Sequence, residues 1–483
     1  MNRDKVILTE KQEQCVRFKP EGSLLVRGIP GSGKSTILLA RAQYLRKNHP
    51  NESLVILTFS RPLTNYVKQL SLKTGEEEIE AKTFHQWAQT LIKETDYPHT
   101  RLKLGADREE VVRFAINIIK KNSANALFPN MNVKKNEQVA LVKFLSDEIE
   151  WIKGSDIKSR TEYMDIKRSG RGTKVRVTKQ HRDTIYDVLE KYNELLKNHR
   201  LHQGIDSEDL ARIIIEKIDQ IPQSVLTDHI LVDEAQDLHS IQLRSINIVA
   251  QKSLTIGADK GQQIFRRTFT WKKAGIEVLG NRSRFLDETF RSTKQIVRLA
   301  NNFQENDHLF TIDEEYIKAK EPEIEGKIPE LFLCDNKTEE TEYILYHIKN
   351  LRASFPEDTI GVIINFNWEI DSFKTKITDE GIPVFNLRDG ESDMIAPGVK
   401  LITYQSSKGL EFDHVIVTGL KEGKIPYKNI PPGEDEEEFL SRERKKFYVA
   451  MTRAKKTLLM TASKPYSPFI FDLDTNLYKI VRK

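Results

Sequence analysis

Eight residues near the start of the chain, Gly28-Ile-Pro-Gly-Ser-Gly33-Lys34-Ser35, fit the pattern GxxxxGK[ST]. Glycines at these positions let backbone N–H groups wrap a phosphate without Cβ clashes. A lysine at position 34 reaches the β and γ phosphates of a nucleotide, and a hydroxyl at Ser35 ligates Mg²⁺. Pro30, Gly31, Ser32 and Thr36 complete the cradle and the turn after it. The pattern needs a strand before it and a helix after it. The apolar run 24–26 and the helical periodicity over 35–46 supply both.

Hydrolysis also needs carboxylates at the end of a buried strand, and His229-Ile-Leu-Val-Asp233-Glu234 provides them. Asp233 is suited to hold Mg²⁺ through water, and Glu234 to orient or deprotonate the attacking water. An Asp-Glu pair alone is an ordinary strand end; one that terminates an apolar run is more informative. Together the two motifs predict a nucleoside triphosphatase and leave open what the hydrolysis drives.

Further segments narrow the class. Asp233-Glu-Ala-Gln-Asp237 is followed by Ala258-Asp-Lys-Gly-Gln262-Gln-Ile-Phe265 and Phe290-Arg291-Ser-Thr293. Then come Ser407-Lys-Gly-Leu-Glu411-Phe412 and Tyr448-Val-Ala-Met-Thr-Arg453-Ala454. In this order, across 12–456, they resemble the UvrD/Rep family of superfamily 1 helicases. The resemblance implies ATP and Mg²⁺ as cofactors, and 3′→5′ movement on single-stranded or tailed duplex DNA. Gln12 looks like the adenine-reading glutamine, and Phe290 stands where the family has a stacking tyrosine. Arg291 and Arg453 look like the two arginines that reach the γ-phosphate from the second domain. Gln262 looks like the link from γ-phosphate to the nucleic-acid groove, and Glu411 like a contact to the nucleotide sugar.

A translocase needs sequence-tolerant contacts: aromatic faces for bases and donors for phosphates. Thr58-Phe59-Ser60 and Thr83-Phe84-His85 look like the family's two early strand-contacting motifs, with Thr403 on the second domain. Phe59, Phe265 and Trp271 match stacking positions; for Phe84 and Trp87 core packing competes with that role. The stretch 158–182 carries nine Lys or Arg against Glu162 and Asp165, with Arg168 and Arg171 in its flexible middle, and is expected to touch phosphates.

Two sets of strand-length apolar runs place these residues. The first comprises 24–26, 54–57, 229–232 and 254–256; the second 331–334, 359–364, 400–404, 414–418 and 457–460. Between the sets of the first half lies a helical stretch with few strand runs. The expected fold is therefore α/β, two parallel-sheet domains with a mostly helical insertion in the first; the resemblance implies that both are RecA-like P-loop domains. The expected division is 1–96 with 221–280 for the first α/β domain, 97–220 for the insertion and 281–483 for the second. The interval between the Arg291 and Lys408 motifs is just long enough for strands and helices of the second α/β domain, so the large accessory domain usual in the family, 2B, is expected to be absent or vestigial. Gln405, Ala258 and Arg61-Pro62 also depart from its pattern.

The 483 residues, 38% hydrophobic and 30% charged with net charge +5, are an ordinary globular balance. Cys15 and Cys334 form no zinc-ligand spacing. No secretory signal or membrane-length run is visible, so a cytoplasmic protein is expected. The fragments Glu325-Gly-Lys327 and Glu422-Gly-Lys424 are too common to indicate a nuclease, and a nuclease partner in trans is the better expectation. Beside a helicase, the alternatives are a DNA-gated ATPase switch in a larger nuclease-containing complex of repair or phage defence, and an RNA translocase.

Overall fold

Every strand of both sheets runs parallel to its neighbours, the pattern expected when helices cover both faces and the strands read as continuous apolar runs. The computed structural model describes residues 8–73, 79–98, 101–122, 135–166, 177–259, 271–311, 318–387, 393–430 and 436–482.

The first sheet holds β1 (Gly22–Gly28), β2 (Leu54–Thr58), β3 (Ala81–Thr83), β4 (Thr227–Val232), β5 (Ala250–Ala258) and β6 (Ser283–Leu286). Their order is β3-β2-β4-β5-β1-β6. The second holds β7 (Glu330–Cys334), β8 (Thr359–Ile364), β9 (Val384–Asn386), β10 (Gly398–Thr403), β11 (Phe412–Val417), β12 (Ala454–Ser463) and β13 (Lys479–Val481). Their order is β13-β7-β12-β11-β8-β10-β9. All nine apolar runs singled out in the sequence lie in these strands, apart from single end residues, and the α/β class with two parallel sheets is as expected.

Two boundaries differ from expectation. Strand β6 pairs with β1, so the first sheet runs six residues past the expected end at 280. The insertion's own core draws on residues between Val111 and Leu196. Leu210, Ala211, Ile213 and Ile214 of helix Ser207–Glu216 instead pack with the first sheet. Among the described residues, the interval between the Arg291 and Lys408 motifs is filled by strands of the second sheet and helices beside them.

The largest apolar cluster belongs to both units. It joins Leu38, Ala42 and Leu63 of the first to Tyr404, Leu410 and Phe447 of the second. A Cβ on Gly409 would meet Leu63 Cδ2 at 2.8 Å, so the loop after β10 lies directly on helix Arg61–Lys73. This contact sets the two sheets against each other, with the carboxyl ends of β1, β4 and β5 near the seam. No helix of the described residues is long and apolar enough to cross a membrane.

Candidate nucleotide site and strand-contact edge

The loop after β1 is shaped by two left-handed glycines, Gly31 (φ 76°) and Gly33 (φ 84°). A Cβ on Gly31 would stand 2.4 Å from Thr289 Oγ1 and 2.9 Å from Arg291 Cβ, so only glycine fits. Gly33 also caps helix Lys34–Asn48 without any side-chain hydrogen bond, which leaves the helix's first N–H groups for an anion. Lys34 folds back into this loop. Its Nζ donates to Gly28 O (2.8 Å), Ile29 O (2.9 Å) and Asp259 Oδ2 (3.0 Å).

Strand β4 delivers the acids. Ser35 Oγ donates to Asp233 Oδ2 at 2.5 Å. Asp233 is 2% exposed; burial and the neighbouring Glu234 charge push its carboxyl up to about 6, against the pull of Ser35 and Lys34. Glu234 takes a left-handed backbone (φ 54°), a strained conformation for a non-glycine residue. Burial raises its carboxyl, but Lys408, Lys34 and Arg453 outweigh that and hold it below the usual range. Gln236 Nε2 donates to Glu234 Oε2, while Gln236 Oε1 accepts from the Asp259 backbone N–H.

The second unit contributes the cations. Arg453, 1% exposed, donates to Val449 O, Leu410 O and Thr452 Oγ1. Burial and the like charge of Arg291 lower it to about 9, opposed by Glu234, Asp259 and Glu411. Arg453 thus shares one electrostatic site with Lys34 and the β4 acids. Phe290 N–H donates to Gly31 O, tying the Phe290–Arg291 segment to the phosphate loop. Arg291 Nε donates to Glu411 Oε2 at 2.8 Å, and its buried Nη1 has no hydrogen-bond partner. Glu411 also accepts from Tyr66 and pairs with Lys455; despite burial, Arg291 and Lys455 hold it down to about 2.

A nucleoside triphosphate with Mg²⁺ fits these residues. The cradle excludes any Cβ, Ser32 Oγ and Arg291 Nη1 are buried without partners, and Ser35 with Asp233 offers the oxygen donors a hard cation needs.

Two residues expected at the nucleotide have protein partners in this structure. Gln12 is buried, its Nε2 donating to Ser32 O and its Oε1 accepting from Thr9 N–H. In this conformation the amide clamps the first helix to the phosphate loop. Glu411 likewise has protein partners in Arg291, Tyr66 and Lys455. Phe290 is 47% exposed, which leaves its ring accessible for stacking.

On the strand-contact side, Ser60 and Thr83 cap helices: Ser60 O and Oγ accept from Thr64 and Leu63 N–H, and Thr83 forms a capping box with Gln86. Phe84, 2% exposed, belongs to the first core with Trp87, so its ring is corrected from base contact to packing. Half-buried Phe59 and His85 line a cavity of about 190 Å³, and His85 Nε2 hydrogen-bonds Ser207 Oγ at 2.8 Å. Trp271 is half-buried against the first core. Thr403, 8% exposed, ends β10 and donates to Ser406 Oγ. Gln262, Phe265, Arg168 and Arg171 lie outside the described residues. Within the basic stretch, Arg160 pairs with Asp183, Asp187 and Glu190, and Arg182 donates to three backbone carbonyls, so both are used inside the insertion.

Sequence reasoning assigned no role to Asp259, Asp237 or Lys408, although each lies in a quoted motif. Lys408 Nζ sits 2.6 Å from Asp237 Oδ2 and 3.5 Å from Glu234 Oε2. Glu150, Glu208 and His239 also converge beside the 190 Å³ cavity, their ligand atoms within 4.8 Å of one another. Arg108 stands 3.0 Å from Glu208 and 3.6 Å from Glu150, so a guanidinium already neutralises that group.

Comparison with known proteins shows the family. A family model for the UvrD/REP helicase N-terminal domain matches residues 8–286, and one for the UvrD-like helicase C-terminal domain matches 285–391 and 386–465. A "probable DNA helicase" of Mycoplasma pneumoniae is 22% identical over 94% of this chain and 83% of its own length. The "ATP-dependent DNA helicase PcrA" of Bacillus subtilis is 24% identical over 74% of this chain and 50% of its own, so the chain spans about half the length of that relative. A solved C-terminal domain of a possible DNA helicase from Lactobacillus plantarum aligns at TM-score 0.30 and 20% identity, covering 40% of this chain and 98% of that one. With its two parallel sheets, shared phosphate site and matches to both family models, the chain belongs to the UvrD/REP helicase family.

Proposed function

We propose that the chain is an ATP-dependent DNA helicase that moves 3′→5′ on single-stranded DNA. The observation that supports this best is geometric: Lys408 of the second unit stands 3.5 Å from Glu234 and 2.6 Å from Asp237, beside the loop that holds Lys34. ATP bound there touches both units, so binding and loss of the γ-phosphate change the force between them.

In this reading Lys34 leaves the Gly28 and Ile29 carbonyls for the β and γ phosphates. Ser35 and Asp233 hold Mg²⁺, which when bound neutralises charge on the phosphate oxygens. Glu234 accepts a proton from the attacking water. Arg291 and Arg453 stabilise the charge that develops on the transferred group, a contribution of about 10³–10⁵ in rate for an arginine finger. Phe59, Trp271 and Thr403 grip the strand in turn as the seam opens and closes. Polarity rests on the family resemblance.

A second reading, a DNA-gated ATPase switch working with a nuclease partner, draws on the interval between the Arg291 and Lys408 motifs, whose described residues belong to the second sheet and its helices. Purified protein separates the two: the helicase reading expects displacement of 3′-tailed but not 5′-tailed duplexes, and the switch reading expects hydrolysis without displacement. Lys34→Ala should abolish hydrolysis stimulated by single-stranded DNA. Unaltered turnover in that variant removes both readings. Stimulation by RNA in preference to DNA would move the substrate to RNA.

A further inference from the structure

At the carboxyl edge of the second sheet, away from the nucleotide site, an open pocket of about 290 Å³ has Lys337, Trp368, Glu369, Lys376, Lys421 and Lys424 among its lining residues. Trp368 is 69% exposed, although a tryptophan gains most from burial. One face is supported: its ring lies 5.9 Å from Phe366 at an interplanar angle of 10°, and Tyr427 packs edge-on against Phe366. Lys424 Nζ sits 5.7 Å from the Trp368 ring centre and donates to Glu369 at 2.6 Å. The indole therefore lies parallel to a neighbouring ring and leaves most of its surface open.

The charges around it are unequal. Glu369 is taken by Lys337 and Lys424. Buried Glu340 receives the Gly419 N–H and the Thr461 hydroxyl, and its other oxygen lies 3.9 Å from Lys337 Nζ. Among the described residues, neither Lys376 nor Lys421 has a carboxylate within ion-pair distance. Two unopposed ammonium groups beside one supported aromatic face match a phosphate and a base.

Position says where the ligand would come from. Strand β8 ends at Ile364, in register with Thr403 of the adjacent β10, and Phe366 follows two residues later. Neighbouring strands lie about 4.8 Å apart, so the pocket continues the edge where Thr403 stands.

We propose that this pocket is a base-and-phosphate subsite that extends the single-strand track over the second unit, with one base on Trp368 and phosphates on Lys376 and Lys421. The proposal rests on the strand-binding reading above and adds a contact outside the motifs that carry it.

The test is equilibrium binding of fluorescent oligothymidylates of increasing length to the full chain, with hydrolysis followed in parallel. Trp368→Ala should weaken binding of long oligonucleotides roughly 5- to 100-fold. It should leave short ones, and hydrolysis without DNA, unchanged; Trp368→Tyr should restore binding. Lys376→Glu with Lys421→Glu should reduce the salt slope of long-oligonucleotide binding by about two. Long oligonucleotides bound by Trp368→Ala within twofold of wild type, while still stimulating hydrolysis, would overturn the subsite and leave the motor intact. Competition by thymidine monophosphate at the concentration of the oligonucleotide would overturn the strand assignment in favour of a free-nucleotide pocket. If only an acidic peptide, and no oligonucleotide, binds at Trp368, the subsite is a protein-docking surface and the proposal falls. Absence of any DNA binding or stimulation by wild type would sink the strand-binding reading itself, and this subsite with it.

Discussion

Lys408 and Asp237 form an ion pair of 2.6 Å across the junction of the two units, and both side chains are buried. Lys408 follows β10 of the second sheet and Asp237 follows β4 of the first, so the pair joins the loop carrying Glu411 to the loop carrying Glu234. The same ammonium helps hold Glu234 ionised. The contact therefore links the docking of the two units to the charge state of the acid nearest the hydrolysis site.

Removing Lys408 alone should be costly, because it takes a buried ammonium away from two buried carboxylates. Lys408→Ala is expected to destabilise by about 3–5 kcal/mol, as for other broken buried pairs. In an Asp237→Asn background the same substitution should cost clearly less. Denaturant unfolding of the four proteins in the cycle measures the difference; equal costs in both backgrounds would mean that the pair is not coupled.

Gly31 and Gly381 both have positive φ, 76° and 70°, but only Gly31 has neighbours that a Cβ would strike. Gly381→Ala should therefore cost only the backbone penalty, about 1–2 kcal/mol. Gly31→Ala should cost more and should also displace the Thr289–Arg291 segment, lowering nucleotide affinity at least about tenfold. Thermal unfolding and nucleotide titration check both, and equal behaviour of the two variants would contradict the crowding at the phosphate loop.

Lys400 supplies a pH signature. It is fully buried, with Nζ over the Phe385 ring and donating to Asp393 O, and burial lowers it from 10.5 to about 8. Between those values the unfolded chain holds a proton that the folded chain has released, so stability gains with rising pH in that window. Lys400→Met lacks this titration. The stability of wild type relative to the variant should be flat below about pH 8 and should rise towards pH 10; denaturation at several pH values tests it, and a constant difference would contradict the buried charge.

What was legible in the sequence was local. The phosphate loop, the β4 acids and the long strands are contiguous patterns, and each falls where spacing put it. Short strands such as β6 escaped because only its last residue is buried, so no apolar run marks it; the domain boundary was misplaced with it. The ion pair of Lys408 with Asp237, the Lys34–Asp259 contact and the Tyr66–Glu411 hydrogen bond join residues 171, 225 and 345 positions apart, beyond any spacing rule. Phe84 was readable in principle: Phe84, Trp87, Ala88 and Leu91 form an i, i+3, i+4, i+7 stripe, the mark of a core-facing helix. The Gln12 amide was readable in half: Thr9-x-x-Gln12 is capping-box spacing, but the bond to Ser32 joins residues 20 positions apart.

The central claim, that hydrolysis needs a guanidinium from the second sheet at a phosphate site built on the first, is tested most directly by Arg453→Lys. Single-turnover hydrolysis and ATP binding should be measured together in the presence of single-stranded DNA. The account predicts ATP affinity close to wild type and a hydrolysis rate at least about 10³-fold lower; a rate within tenfold of wild type in a folded variant would contradict it.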